Sequence, residues 1–193
     1  RIAKFAKEAG FKVVYYISPQ VWAWKENRVK KIKKYVDKML VILPFEKGFY
    51  EEKWNYNVDF VGHPLLDEIE VNNEYKIQVN NNDKPIIAIL PGSREQEINK
   101  ILPEFLKITK HYPDYHFVIG GINHLGPKFY GKFNISSNIE IVYNKTYHLL
   151  NNSFSALVAS GTATLESALF NTPMIVGYKG SWISYQIGKR LVK

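Results

Sequence analysis

The chain has 193 residues, 46% of them hydrophobic and 15% aromatic, enough to bury one ordinary domain core or two small ones. It contains no cysteine, which excludes disulfides and cysteine-based zinc sites. Its formal net charge of +8 favours nucleic acid, phosphorylated small molecules or acidic lipid headgroups as partners, and no apolar run reaches the roughly 18 residues of a membrane-spanning helix.

The opening "RIAKFAKEAGFK" reads as the middle and end of a helix, stopped at Gly10. The closing "SYQIGKRLVK" is a helical pattern without a stop signal, and no initiator methionine is present. The expectation is an internal piece of a longer protein. "FKVVYYIS" (11–18) reads as a buried strand, followed by a helix through about Val36. Ser18-Pro19 ends the strand sharply, and Trp22 and Trp24 lie between strand and helix, where their rings wall a pocket or pack beneath the loop. At helical spacing Val29, Ile32, Tyr35 and Val36 share one face, while Lys30, Lys31, Lys33, Lys34 and Lys38 form a basic stripe on the other. Such a stripe is usually a solvated face. Residues 37–43 read as the next strand, 44–54 as a short helix and 58–63 as a third strand. His63 follows it, directly ahead of Pro64, where it could reach a cleft, though a lone loop histidine is more often structural.

Residues 67–84 are Asn-rich and acidic with little periodicity, and read as a linker or surface excursion between units at 1–66 and 85–193. Strands are then predicted at 84–90, 115–121, 138–143, 155–160 and 172–178, with helices at 94–112, 145–153 and 162–171 and another after Ser181. Apolar strands alternating with helices imply parallel sheets covered on both faces. The predicted fold class is therefore α/β, with two Rossmann-like halves and a cleft between them.

Two stretches carry chemistry. In "IAILPGSREQEI" (87–98) a strand ends at Leu90, turns through Pro91-Gly92-Ser93 and enters a helix. A turn at the carboxyl end of a parallel strand presents free N–H groups to a ligand. Gly92 admits a phosphate to the backbone, Ser93 can donate a hydrogen bond, and the forked guanidinium of Arg94 can grip a diphosphate. The alternative is an ordinary strand–helix turn with Ser93 as N-cap and Arg94 in water. In "VASGTATLESALFNTPMIVGY" (158–178) a strand runs through Ser160-Gly161-Thr162 into a helix, a second anion nest. Glu166, one turn in, could accept both hydroxyls of a ribose or could only complement the helix dipole. Together the two turns and the acid point to a nucleoside diphosphate site. His111, His116, His124 and His148 show no metal-ligand spacing, and no serine-nucleophile elbow is present.

"YYISPQVWAWKENRVKKI", "ILPFEKGFYEE", "FVGHPLLD", "LPGSREQEI" and "VASGTATLESALFNTPMIVGYK", in this order, resemble the lipid-A-disaccharide synthase family. The resemblance runs through the whole chain and is weakest across 68–84 and 122–136. It implies a GT-B architecture whose N-terminal domain is incomplete here. It also implies a Gram-negative glycosyltransferase joining UDP-2,3-diacylglucosamine to 2,3-diacylglucosamine 1-phosphate (lipid X), with release of UDP. On that resemblance Arg94 with the Gly92-Ser93 turn stabilises the leaving diphosphate, Ser160, Gly161 and Thr162 add backbone donors, and Glu166 holds the ribose. Ser18, Trp22 and Trp24 border the acyl-glucosamine side. Lys30, Lys31, Lys33 and Lys34 meet the anionic inner face of the cytoplasmic membrane, where the enzyme would sit peripherally. No metal or other cofactor and no nucleic-acid partner is implied. The family's proposed general base would precede Arg1, so the piece alone is expected to be inactive. Alternatives are another UDP-sugar enzyme of this architecture, such as a peptidoglycan N-acetylglucosaminyltransferase or a UDP-GlcNAc 2-epimerase, and a non-enzymatic basic binding module.

Overall fold

The computed structural model describes residues 1–23, 25–71 and 84–180. The chain divides into two units, Arg1–Val71 and Asn72–Lys193.

The first unit runs α1 (Ile2–Glu8), β1 (Val14–Tyr16), α2 (Arg28–Tyr35), β2 (Lys38–Val41), α3 (Pro44–Gly48), a π-helical turn (Phe49–Lys53), β3 (Asp59–Phe60) and α4 (Pro64–Val71). Its three strands are parallel in the order β1-β2-β3, with Val14 opposite Lys38 and Leu40 opposite Asp59. Val29 and Ile32, one turn apart on α2, bury against Met39, Val41, Tyr50 and Val58. That contact explains why the lysines of α2 face outward. The buried carboxylate of Glu46 accepts the N–H groups of Ile42 (3.2 Å) and Leu43 (3.0 Å), fixing the start of α3 behind Pro44.

Three expectations change here. The helix expected between Trp24 and about Val36 begins only at Arg28: Ile17 turns into the left-handed region (φ 64°), and residues 21–23 and 26–27 form turns ahead of α2. Lys38 belongs to β2 and pairs with Asp59 at 2.7 Å, so it is not part of the helical stripe. The excursion expected from residue 67 starts later, since α4 continues through Val71. Pro64 supplies a helical φ at its first position, Asp67 sits in its first turn, and His63 Nδ1 accepts the Leu65 N–H at 3.2 Å.

The second unit runs β4 (Ile86–Leu90), α5 (Glu95–Thr109), β5 (His116–Gly121), α6 (Gly126–Tyr130) with a 3-10 turn (Gly131–Phe133), β6 (Glu140–Tyr143), α7 (Thr146–Asn151), β7 (Ser155–Ala159), α8 (Thr162–Leu169) and β8 (Met174–Gly177). All neighbours are parallel, in the order β6-β5-β4-β7-β8. Strand alternation splits the core into two layers. Ile89, Phe117, Ile119 and Leu157 pack against Ile98, Leu102 and Phe105 of α5, whereas Ile86, Ala88, Leu90 and Val158 pack against Leu149 and Leu150 of α7. Ile98 and Leu102 are fully buried, and truncating either to alanine costs about 2–5 kcal/mol. They hold the amino end of α5 in place. The chain builds outward from β4 to β5 and β6, then returns to lay β7 on β4's other side. That reversal places a crevice between the carboxyl ends of β4 and β7, where ligands of open α/β sheets bind.

Candidate functional site

Leu90 lies opposite Val158, so the turns that leave β4 and β7 start side by side. They enclose one cavity of about 210 Å³. Gly92, Ser93 and Glu97 line it from the first turn, Ser160, Gly161, Thr162, Ala163 and Glu166 from the second, and Gly120, Ile122 and Thr146 from neighbouring segments. The convergence expected from two separate sequence motifs is thus a property of the strand order. A larger apolar hollow of about 690 Å³ opens at the other end of the same sheet, among Tyr112, Tyr115, Phe154 and Met174.

Gly92 adopts φ +117°, which side chains resist, and a Cβ there would lie 2.8 Å from Glu97 Oε2. Ser93 does not cap α5. Arg94 is the extended residue before the helix (φ −112°, ψ 142°), with no side-chain cap bond. The Glu97 carboxylate folds back instead, its Oε2 accepting the Ser93 N–H at 3.3 Å and its Oε1 pairing with Arg94 Nη1 at 3.1 Å. The Arg94 side chain is 81% exposed and held by Glu97, outside the cavity wall.

At the second turn the Ser160 N–H is already committed to the Gly177 carbonyl (2.9 Å), continuing the β7–β8 ladder. Ser160 therefore offers its hydroxyl and not its amide. α8 opens at Thr162, so the amides of Thr162 and Ala163 precede the first intrahelical acceptor and are available to an anion. Glu166 is half-buried. Burial raises its pKa above the usual carboxylate range, and a hydrogen bond from Tyr147 opposes that rise. The segment after β5 is held by the buried Tyr130, whose hydroxyl oxygen accepts the Ile122 N–H at 2.9 Å. Gly120 has no room for a side chain, a Cβ lying 2.6 Å from Leu90 Cδ2.

Sequence reasoning missed Glu97, Gly120, Ile122, Thr146 and Tyr147. Only Glu97 had a local signal, as an acid one turn beyond a glycine turn. α6 went unpredicted because its short span, opened by Gly126-Pro127, offers too few turns to show periodicity.

The residues expected on the acceptor side lie in the first unit. Ser18 is buried, with Oγ 2.7 Å from the hydroxyl of the buried Tyr50, and it also donates to the Pro19 carbonyl at 3.1 Å. Trp22 packs edge-on against Phe45, centroids 4.9 Å apart. Trp24 lies outside the described residues. Lys33 donates to the carbonyls of Trp54 and Asn55, both at 3.0 Å, tying α2 to the end of the π-helical turn. Lys30, Lys31 and Lys34 are exposed. His63 caps α4, as described above. Among the described residues, no helix is long and apolar enough to cross a membrane.

The family model described as lipid-A-disaccharide synthetase matches residues 1–193. The lipid-A-disaccharide synthase of Coxiella burnetii (strain CbuK_Q154) is 41% identical over 203 residues, covering 100% of this chain and 53% of that protein. Those of Sulfurihydrogenibium sp. (strain YO3AOP1) and Francisella tularensis subsp. novicida (strain U112) are 39% and 38% identical, covering 100% and 99% of this chain and 55% and 53% of their own lengths. The chain thus spans about half the length of the curated relatives it matches. Among solved structures, the UDP-GlcNAc 2-epimerase from Neisseria meningitidis bound to UDP-GlcNAc is similar with a TM-score of 0.60 at 16% identity, covering 96% of this chain and 58% of that one. The glycotransferase of kitacinnamycin follows at 0.58 and 12%, covering 93% and 55%. At such identities the likeness concerns the fold, that of GT-B enzymes.

Proposed function

The chain belongs to the lipid-A-disaccharide synthetase family, and on that footing we propose that it carries the donor-binding part of a glycosyltransferase of lipid A assembly. The reaction joins UDP-2,3-diacylglucosamine to 2,3-diacylglucosamine 1-phosphate, the acceptor's 6-hydroxyl displacing UDP from the anomeric carbon with inversion. The observation that carries this reading is the meeting of the Gly92-Ser93 and Gly161-Thr162 turns in one cavity at the β4/β7 reversal. Donors fixed before the reaction stabilise charge where it develops, here on the departing diphosphate. The amides of Ser93, Thr162 and Ala163 and the Arg94 guanidinium would serve in that role, with Glu166 accepting ribose hydroxyls. No metal or other cofactor enters the scheme. The exposed Lys30, Lys31 and Lys34 of α2 support a peripheral place on the anionic inner face of the cytoplasmic membrane, worth about 1 kcal/mol per lysine near the surface.

Calorimetric titration of the full-length protein with UDP-2,3-diacylglucosamine and with UDP-GlcNAc tests the substrate class. Tighter binding of the diacylated donor is expected. Preference for the unacylated sugar would assign the site to a different UDP-sugar reaction.

A further inference from the structure

Two of the donors that the nucleotide reading assigns to the diphosphate already have an occupant. Glu97 takes the Ser93 N–H with one carboxylate oxygen and the Arg94 guanidinium with the other. It enters that position because Gly92 has no side chain, since a Cβ there would stand 2.8 Å from Glu97 Oε2 and 2.9 Å from its Cβ. The carboxylate also lines the cavity in which the phosphates would sit. We propose that Glu97 is a built-in competitor for the diphosphate, holding Ser93 and Arg94 while the site is empty and yielding them when the nucleotide enters. The inference rests on the nucleotide reading above.

A bland role, an acid complementing the dipole of α5, does not account for the geometry. Glu95, also in the first turn, satisfies the dipole while pointing away toward Lys132, 3.8 Å distant. Only Glu97 reaches back over the turn. A carboxylate and a phosphate oxygen repel by like charge, and the single Ser93 N–H cannot serve both at full strength, so the Glu97 carboxylate gives way as the phosphate binds. The competition has a use in a transferase whose product is itself a diphosphate. Once transfer is complete, Glu97 recaptures Arg94 and the Ser93 amide and hastens release of UDP. Arg94 then becomes a ligand only after substrate arrives, consistent with its exposed, outward position against Glu97.

Apparent affinity scales with the fraction of molecules whose site is free. If Glu97 holds its two donors about nine-tenths of the time, removing its charge tightens binding about tenfold, equivalent to about 1.4 kcal/mol. The test is calorimetric titration of the full-length protein and its variants with UDP, inorganic pyrophosphate and uridine, with thermal melts to establish folding. Glu97→Gln is expected to bind UDP and pyrophosphate about tenfold more tightly, with a slower UDP off-rate and unchanged uridine affinity. Glu97→Ala should do the same and serves where the glutamine amide finds new partners. Glu95→Gln, which changes the net charge equally, should leave all three ligands unaffected. If the parent binds UDP and Glu97→Gln binds it equally or less tightly, Glu97 is a prop for Arg94 and the competitor role is overturned while the nucleotide site stands. Equal tightening by Glu95→Gln reduces the effect to bulk charge and also overturns it. Absence of UDP and pyrophosphate binding in both parent and variant removes the nucleotide site, and the competitor with it.

Discussion

Replacing Gly92 with alanine tests the turn on which the donor site depends. Two costs follow from its geometry. At φ +117° a Cβ meets the backbone in a region disfavoured for L-residues, which costs about 1–2 kcal/mol. The new methyl would also stand 2.9 Å from the Cβ of Glu97, an atom fixed by the first turn of α5 and unable to swing aside as the carboxylate can. Forcing a carbon into filled space costs about 1–3 kcal/mol, since α5 is anchored by the fully buried Ile98 and Leu102 and cannot retreat freely. The expected loss is about 3 kcal/mol, which at a urea dependence of about 2 kcal/mol per molar moves the unfolding midpoint of the second unit down by roughly 1.5 M. UDP affinity should fall as well, because the methyl occupies the approach of the phosphate to the backbone. Gly131→Ala provides the contrast: its backbone is helical (φ −57°, ψ −22°) and nothing lies within 4 Å of the added Cβ. That change should raise stability by about 0.4–1 kcal/mol. Urea melts read by circular dichroism, with UDP titrations of each variant, decide the matter. A Gly92→Ala protein within about 1 kcal/mol of the parent and with undiminished UDP affinity would refute the reasoning.

Ser18→Ala leaves the Tyr50 hydroxyl buried without a partner and should cost about 1–3 kcal/mol, whereas Tyr50→Phe, which leaves Ser18 its bond to the Pro19 carbonyl, should cost about 0.5–1.5 kcal/mol. The double variant should be more stable than the sum of the two losses predicts, and strict additivity in urea melts would deny the bond. Glu166 binds its proton more tightly in the folded chain than unfolded, so stability should decline as pH rises from its ordinary value of 4.5 through the raised folded value. Glu166→Gln should abolish that decline. UDP affinity should climb over the same window, as the ionised carboxylate becomes able to accept ribose hydroxyls, and a pH-independent affinity would remove Glu166 from the ribose. Exchanging Lys30, Lys31 and Lys34 together for glutamine should weaken sedimentation of the full-length protein with phosphatidylglycerol-containing vesicles by at least about tenfold, by the same allowance of about 1 kcal/mol each. Equal sedimentation of parent and variant would leave the stripe facing water.

Local pattern settled much of this protein. Uninterrupted apolar runs such as Ile86–Leu90 and Ala156–Ala159 announce strands buried on both faces, and the intervening 3.6-residue periodicity of 95–109 announces the helix that covers them. The glycine turns at 92 and 161 and the acid at 166 were visible for the same reason, since each is a signal confined to a few neighbouring residues. The motifs also carried the family. Periodicity extends only a turn or two along the chain, and it does not say which strands become neighbours. Only the order β6-β5-β4-β7-β8 sets Leu90 beside Val158, bringing residues about seventy positions apart into one cavity. The roles of Ser18, bonded to Tyr50, and of Glu97, folded over Gly92, were likewise fixed by packing: a hydroxyl or carboxylate shows its partner only once the chain has closed around it.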